Sequence, residues 1–540
     1  MQTIVLAGFA ALEATAQSPR VQPLALERGK TQEVVIRDEG ASRADILWTS
    51  FGSAATRLRK PDDTDKANEA RFQIHVPENS TLGVGLMRLV GSNLLSAIHW
   101  VFIDELSIVA DLPVAHSASN APTITLPLGI EGHVSIGLPD VYRFQGHKDQ
   151  VVSVDALGRR LDSRLSPVIQ IFSSENDDIV YSNHDPSLGG DARFSVRLPR
   201  DDMYSLRVSD LYNKGGSDRG YYVRIGGFPI IDSANPFVVP KGGEADLVAF
   251  DSQLRRPFPI HVSGIPTVGG RTNVPVRDAG LGFTFARVLI SELPEISEVE
   301  DNQTAAHANP IKWPTGISGK FDRRGDVDWF RFHVEKGESL SFRAFSKTLG
   351  SPADVILRLH RMDGSKLIEL NVNSDPDPYL NQTFAEAGDY LLRVWESTGL
   401  GGTHFNYRVE VTTQVPSFKL TTSEEHALSV SNRTVSLKVT ADRKGGYNGP
   451  IRISAIGSIP LKLSNEVIAA DKKETDLSIT LTDATLSGKL LSLRLLGSTV
   501  GTNSPAFEAP VSTRGVPMFK RMGSYLMPRE FDGDIALLFP

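Results

Sequence analysis

The chain alternates apolar and polar residues with period two over short runs, and the 3.6-residue spacing of an amphipathic helix is nearly absent. In residues 329–334, Trp329, Arg331 and His333 fall on one face of an extended strand, and Phe330, Phe332 and Val334 fall on the other. The alternation returns in 435–439 (VSLKV), 451–456 (IRISAI), 477–481 (LSITL) and 491–495 (LSLRL). A strand packed on one face needs only every second side chain to be apolar. Runs of this kind, bounded by Gly, Pro, Asn or Asp at spacings of about ten residues, therefore predict antiparallel sandwiches. The expected fold class is all-β: tandem antiparallel β-sandwich domains, immunoglobulin-like or jelly-roll-like.

An internal repeat organises these strands. Residues 101–111 (VFIDELSIVAD) and 288–298 (VLISELPEISE) match at a shift of 187. Residues 204–208 (YSLRV) return as 390–394 (YLLRV), and Gly215, Gly216 and Tyr221 return as Gly401, Gly402 and Tyr407, both at a shift of 186. Between them, 140–144 (DVYRF) answers 328–332 (DWFRF) at a shift of 188. Matches in one order at nearly one offset indicate a duplicated two-domain unit. The expected division is 18–111 and 112–227, then 228–296 and 297–413, then a further sandwich at 414–505. Residues 506–540 are punctuated by proline and remain unassigned.

A length of 540 residues accommodates such a five-domain reading. The 57 Lys and Arg against 64 Asp and Glu leave a net charge of −7, which provides no broad basic field for nucleic acid or an anionic membrane. The absence of cysteine excludes disulfides, thiolate metal sites and cysteine nucleophiles, so any metal must be held by oxygen or imidazole. Residues 1–17 place an apolar run, 4–12, before Ala14-Thr15-Ala16, the small-x-small pattern of a signal peptide. No positive charge precedes the run, so the first strand of a domain is the alternative. After residue 20 no run is long enough to span a bilayer, and no integral membrane segment is expected in the mature chain.

The strongest chemical candidate is Glu298, Glu300, Asp301 and Asn302, with Asp326 and Asp328 beyond a turn. Calcium takes six to eight oxygens, and this stretch is rich in them. In an extended strand Glu298, Glu300 and Asn302 would share a face but span about 13 Å, so the segment must curl for all three to meet one ion. A solvated acidic linker is the alternative. A second acidic run, 371–379 (NVNSDPDPY), lacks the turn glycine and terminal glutamate of a calcium loop and is expected to be a strand-connecting turn.

Catalytic signatures are missing. There is no His-Glu-x-x-His pair, Gly-x-Ser-x-Gly elbow, phosphate loop or dinucleotide fingerprint, and the twelve histidines show no metal spacing. No catalytic or cofactor-binding residue is assigned. Trp329, Trp395, Tyr379, Phe405 and Tyr407 could stack on a polymer or anchor a protein, although at this period most are expected in sandwich cores.

Residues 319–332 (GKFDRRGDVDWFRF), 337–340 (GESL), 353–359 (ADVILRL), Asp363-Gly364, 388–394 (GDYLLRV) and Tyr407 together resemble the bacterial pre-peptidase C-terminal domain over about 298–411. Residues 112–226 resemble it more faintly. The parts ahead of each copy resemble IPT/TIG-type immunoglobulin-like domains, and 443–451 (RKGGYNGPI) resembles a motif of accompanying immunoglobulin-like modules. The resemblance implies non-catalytic accessories of secreted peptidases or surface proteins, some of which bind calcium or polymers such as collagen. It implies calcium ligands at Glu298, Glu300, Asn302 and Asp328, with Gln303 standing where an acidic ligand often follows. At the matching shift the first copy has Asp111, Pro113 and Ala115, so a site is expected in the second copy alone.

The expected function is that of an exported, non-enzymatic binding, adhesion or scaffold protein in the periplasm or at the cell surface. Its expected partner is an extracellular polymer or protein, with no nucleic acid. The alternatives are the accessory region of a secreted peptidase whose catalytic domain lies elsewhere, and a surface spacer.

Overall fold

The computed structural model describes residues 20–540 apart from 59–66, 111, 113–114, 176, 184, 186–187, 252–253, 255, 264–269, 278–282, 371–376, 431–432, 458, 502–506 and 515–530. Residues 1–17, the expected export signal, lie outside the described residues. The protein is all-β: its described regular elements are strands and a few three-residue 3-10 turns. Among the described residues no helix is long and apolar enough to cross a membrane.

The duplication is visible in the sheet topology. In the first unit the strand Ala25–Glu27 lies parallel to His99–Asp104, and in the third Val238–Pro240 lies parallel to Phe283–Ser291. The second unit pairs Ile108–Val109, Leu128–His133, Gly220–Gly226, Val151–Leu157 and Ala192–Arg197 in one sheet. Across its core lie Asp140–Gly146, Asp202–Asp210, Pro167–Phe172 and Asp178–Asn183. The fourth unit repeats this order with Glu295–Ser297, Thr315–Lys320, Asn406–Thr413, Ser339–Phe345 and Tyr379–Thr383, facing Val327–Val334, Gly388–Glu396, Val355–Arg361 and Lys366–Leu370. It adds a short edge strand, Asn309–Pro310. In both copies the last strand of the small unit feeds a short parallel strand into the sandwich that follows.

The period-two pattern sets what is buried. Along Val327–Val334 the residues Asp328, Phe330, Phe332 and Val334 are buried, while Trp329, Arg331 and His333 face outward. Phe330, Phe332, Phe342, Tyr390, Tyr407 and their apolar neighbours form the core of the fourth unit. Asp328 occupies an inward position in that same row, which makes it a carboxylate at a core site.

Residues 506–540, unassigned by sequence, contribute two described strands. Glu508–Ser512 joins the large sheet of the last unit between Ser417–Thr422 and Leu495–Thr499. Ile535–Leu538 lies between His426–Leu428 and Leu490–Leu493. Apolar Ile535, Leu537 and Phe539 enter the core of that unit, so the tail is part of its packing.

The units pack against one another through more than their linkers. Asp104 of the first unit is fully buried and receives the Arg224 guanidinium at 2.6 Å and the Tyr222 hydroxyl at 2.8 Å from the second. The same guanidinium lies over Phe283 of the third unit at 4.5 Å and over Phe228 at 4.6 Å. Arg88 of the first unit forms a buried ion pair with Glu425 of the last, beside an apolar cluster of Val90, Leu95 and Leu538. Phe102 of the first unit stacks on Phe283 of the third with ring centres 6.2 Å apart, so the first unit touches the second, third and fifth.

Candidate metal centre

The chain leaves regular strand pairing after Ser297 and regains it at Asn309, and the intervening segment turns back over the start of Val327–Val334. The Trp329 backbone N–H donates to the Asn302 carbonyl at 3.0 Å, which anchors the segment beside Asp328. The turn brings Glu300, but not Glu298, into the group with the two carboxylates beyond the next turn. Carboxylate oxygens of Glu300, Asp326 and Asp328 all lie within 4.8 Å of one another.

Each acidic residue is held differently. Glu298 accepts the Lys320 backbone N–H at 2.6 Å and the Tyr407 hydroxyl at 2.8 Å. The same hydroxyl reaches Asp328 at 2.7 Å, so one phenol bridges two carboxyls. Asp326 accepts the Asp322 N–H at 2.5 Å, the Val327 N–H at 3.1 Å and the Gln303 side-chain amide. Glu300 is exposed, whereas Asp326, Asp328 and Asn302 are buried. Glu298 is half-buried.

The centre is electrostatically incomplete as it stands. Burial pushes the Glu298 carboxyl up to about 7, with the charges of Glu300 and Asp322 adding to the rise. Burial, then the Glu298 charge, pushes Asp328 up to about 9. Glu300 is also raised, by desolvation first and the Asp326 charge second. A phenol has one proton to give, so both Tyr407 contacts can be hydrogen bonds only while one carboxyl is protonated and donates to the phenol oxygen. Moreover, Asp328 Oδ1 and both polar atoms of the fully buried Asn302 amide lack hydrogen-bond partners. Unpaired buried polar atoms are costly, which makes their grouping beside a carboxylate cluster a pointer to an ion-binding role.

The donor set fits a hard divalent cation. It consists of carboxylates and an amide, and oxygens bound to one calcium at 2.3–2.6 Å stand no more than about 5 Å apart. Glu300, Asp326 and Asp328 meet that spacing, Asn302 offers a free carbonyl oxygen, and Glu298 is joined to the group through Tyr407. The pattern reading missed Tyr407 as a member of the site and placed it with the core aromatics. An inward tyrosine in the same sandwich as an inward aspartate was the available signal.

The other singled-out residues are placed as follows. Asp377 caps the 3-10 turn Lys347–Leu349, accepting the Lys347 N–H at 2.9 Å and the Thr348 N–H at 3.3 Å, while 371–376 lie outside the described residues. Phe405 and Tyr407 are buried in the core, Tyr379 is half-buried, and Trp329 and Trp395 are half-buried on the outer face of their sheet. Of the first-copy counterparts, Ala115 is buried against Val141, and Asp111 and Pro113 lie outside the described residues.

No family model and no curated protein matches the chain. Among solved structures, the pre-peptidase C-terminal domain of a Bacillus anthracis collagenase is similar at 16% identity and a TM-score of 0.17, over 20% of this chain and 94% of that one. The Aeromonas hydrophila periplasmic inhibitor of g-type lysozyme, PliG, is similar at 11% identity and a TM-score of 0.16, over 22% of this chain and 97% of that one. The surface layer protein SbsC, domains 1–6, is similar at 11% identity and a TM-score of 0.13, over 64% of this chain and 49% of that one. At these values the similarities say nothing about ligand or partner.

Proposed function

We propose that the protein is an exported, non-catalytic multidomain β-sandwich protein that binds or presents a partner outside the cytoplasm. In this reading one calcium ion stiffens the junction between its third and fourth units. The observation that supports the ion is the convergence of Glu300, Asp326 and Asp328 beside the unpaired Asn302 amide and Asp328 Oδ1. Calcium would neutralise carboxylates that otherwise keep a proton, and would tie the interdomain segment 298–302 to the strand Val327–Val334. The role of the ion in this reading is mechanical.

Export is supported by the small-x-small pattern of the first 17 residues and by the lack of cysteine. The accessory region of a secreted peptidase is the second reading, and the motif pattern of 298–411 supports it. A peptidase gene beside this one would favour that reading. Calorimetry with calcium against chelator tests the ion directly: a transition that shifts with calcium in the wild type and not in Asp328→Asn is the expected result, and identical transitions in the wild type would remove calcium from the proposal.

A further inference from the structure

The outer face of the sheet formed by Val327–Val334, Gly388–Glu396 and Val355–Arg361 carries a compact aromatic and cationic group that plays no part in the metal centre. Trp329, Arg393 and Arg358 stand opposite one another in register across three strands. The Arg393 guanidinium lies 4.5 Å from the Trp395 ring centre and 5.7 Å from that of Trp329, and Arg358 lies 5.0 Å from Trp395. The His360 ring packs on Trp329 at 5.1 Å. Arg331 and Lys366 are exposed at the margin.

Arg393 gives this face a positive charge that no described carboxylate pairs with, and its buried Nε has no hydrogen-bond partner. Arg358 has Glu369 as its register partner, and Asp389, at the far end of the face, is engaged by His333 at 2.8 Å. Burial first, then Arg358, holds the Arg393 guanidinium below its ordinary pKa. Burial likewise lowers His360, and Arg358, Arg393 and Lys366 lower it further. The chain as a whole is acidic, with a net charge of −7, so this is a local feature.

The first copy does not repeat it. Val141 stands at the position of Trp329, Ser209 at that of Trp395 and Gln170 at that of Arg358, and Val141 is covered by Ala115 and Ala121. The arginines recur without the indoles: Arg207, over Phe172 at 4.5 Å, corresponds to Arg393, and Arg143 to Arg331.

We propose that this face of the fourth unit binds an acidic polysaccharide, with the indoles of Trp329 and Trp395 stacking on pyranose rings and Arg393, aided by Arg331, pairing with uronate carboxylates. The proposal rests on the reading of the chain as an extracellular binding protein and names the partner class. A guanidinium in contact with two indoles has part of its freedom already spent before binding, and its fork matches a carboxylate bidentately. Nucleic acid fits less well: its affinity comes from many phosphate contacts spread over a basic field, whereas here the uncompensated charge is local.

Affinity electrophoresis of the full chain through gels containing polygalacturonate, dextran, polyglutamate or single-stranded DNA tests the proposal. Retardation by polygalacturonate alone is expected, weakened about tenfold in Trp329→Ala and in Arg393→Lys, which keeps the charge and loses the fork. Arg207→Lys in the first copy should bind as wild type does. Equal retardation by polyglutamate or DNA would overturn the polysaccharide. Retention undiminished in Arg393→Lys and Trp329→Ala would leave the binding protein standing and remove this face as its site. If none of the polymers retards the wild type, both readings fail for polymers.

Discussion

The two large sandwiches share a strand order and a buried aspartate, and they surround that aspartate in different ways. In the first copy Asp140 accepts the Tyr221 hydroxyl at 2.7 Å, and Tyr142 stands 2.6 Å from the Tyr221 oxygen. Two phenolic protons serve one carboxylate oxygen: Tyr142 donates to Tyr221, which donates to Asp140 Oδ2. In the second copy Tyr407 and Asp328 occupy the same places, but Phe330 replaces Tyr142, and the Glu298 carboxylate takes the third position. A neutral donor has been exchanged for a second acid. One oxygen of the aspartate is unpaired in both copies, Oδ1 of Asp140 and Oδ1 of Asp328, but the phenol contacts of the first copy have a proton each, while those of the second need a further proton or a cation. A hydroxyl present in one copy and absent in the other thus separates a structural hydrogen-bond chain from a candidate ion site.

The junctions ahead of the two sandwiches differ in the same spirit, and the largest expected effect lies there. Arg224 and Asp104 are both sealed from water, with side-chain exposures of 2% and 0%. Arg224→Ala should therefore lower unfolding stability by about 3–5 kcal/mol, because it strands a buried carboxylate. Arg408 is equally buried, but its partners Glu295 and Glu410 remain 26% and 24% exposed and can turn to water. Arg408→Ala should cost clearly less in the same denaturant titration. Equal losses would show that burial of the arginine, and not of its partner, sets the penalty.

A smaller effect separates the tyrosines. Tyr221→Phe breaks the phenol chain and leaves buried Asp140 without its donor, for an expected loss of about 1–3 kcal/mol. Tyr407→Phe removes a contact already shared between two acids and should cost less when calcium is present. Parallel urea titrations of the two variants would reverse the comparison if the second proved the more damaging.

The pH dependence should also differ. Glu298 and Asp328 hold their protons more tightly folded than unfolded, so without metal their contribution is fully present below about pH 4 and is lost as pH rises through about 7 and about 9. With chelator, the transition of the fourth unit should fall between pH 5 and pH 8, and calcium should restore it mainly at the higher pH, where the carboxylates are charged. A calcium effect larger at pH 5 would contradict the assignment. The smallest expected effect is that of calcium itself: an affinity of about 0.1–1 mM gives roughly 0.4–1.4 kcal/mol at about 1 mM calcium, confined to the second copy. A comparable shift in Asp328→Asn would place the ion elsewhere.

The inward and outward faces of Val327–Val334 were legible from alternation alone, and so was the duplication, because both depend on local order along the chain. The grouping of acids was legible as a composition of residues. The role of Tyr407 was not, since it comes from a strand nearly eighty residues beyond Asp328 and reads as another core aromatic. Trp329 and Trp395 carried the same ambiguity: an aromatic at period two reads as core until the sheet shows which face it is on.

Sequence by itself determined that this is an all-β protein of repeated strands, without thiol chemistry, with one acid-rich segment ahead of one copy. These are properties of neighbouring residues and of counts. Tertiary structure decided which acids meet, that Asn302 and Asp328 are buried with unpaired atoms, that one arginine contacts two outward tryptophans, and that the first unit packs on the second, third and fifth. Those outcomes depend on which distant strands become neighbours and on how far water is excluded between them, and neither quantity is written in the local pattern.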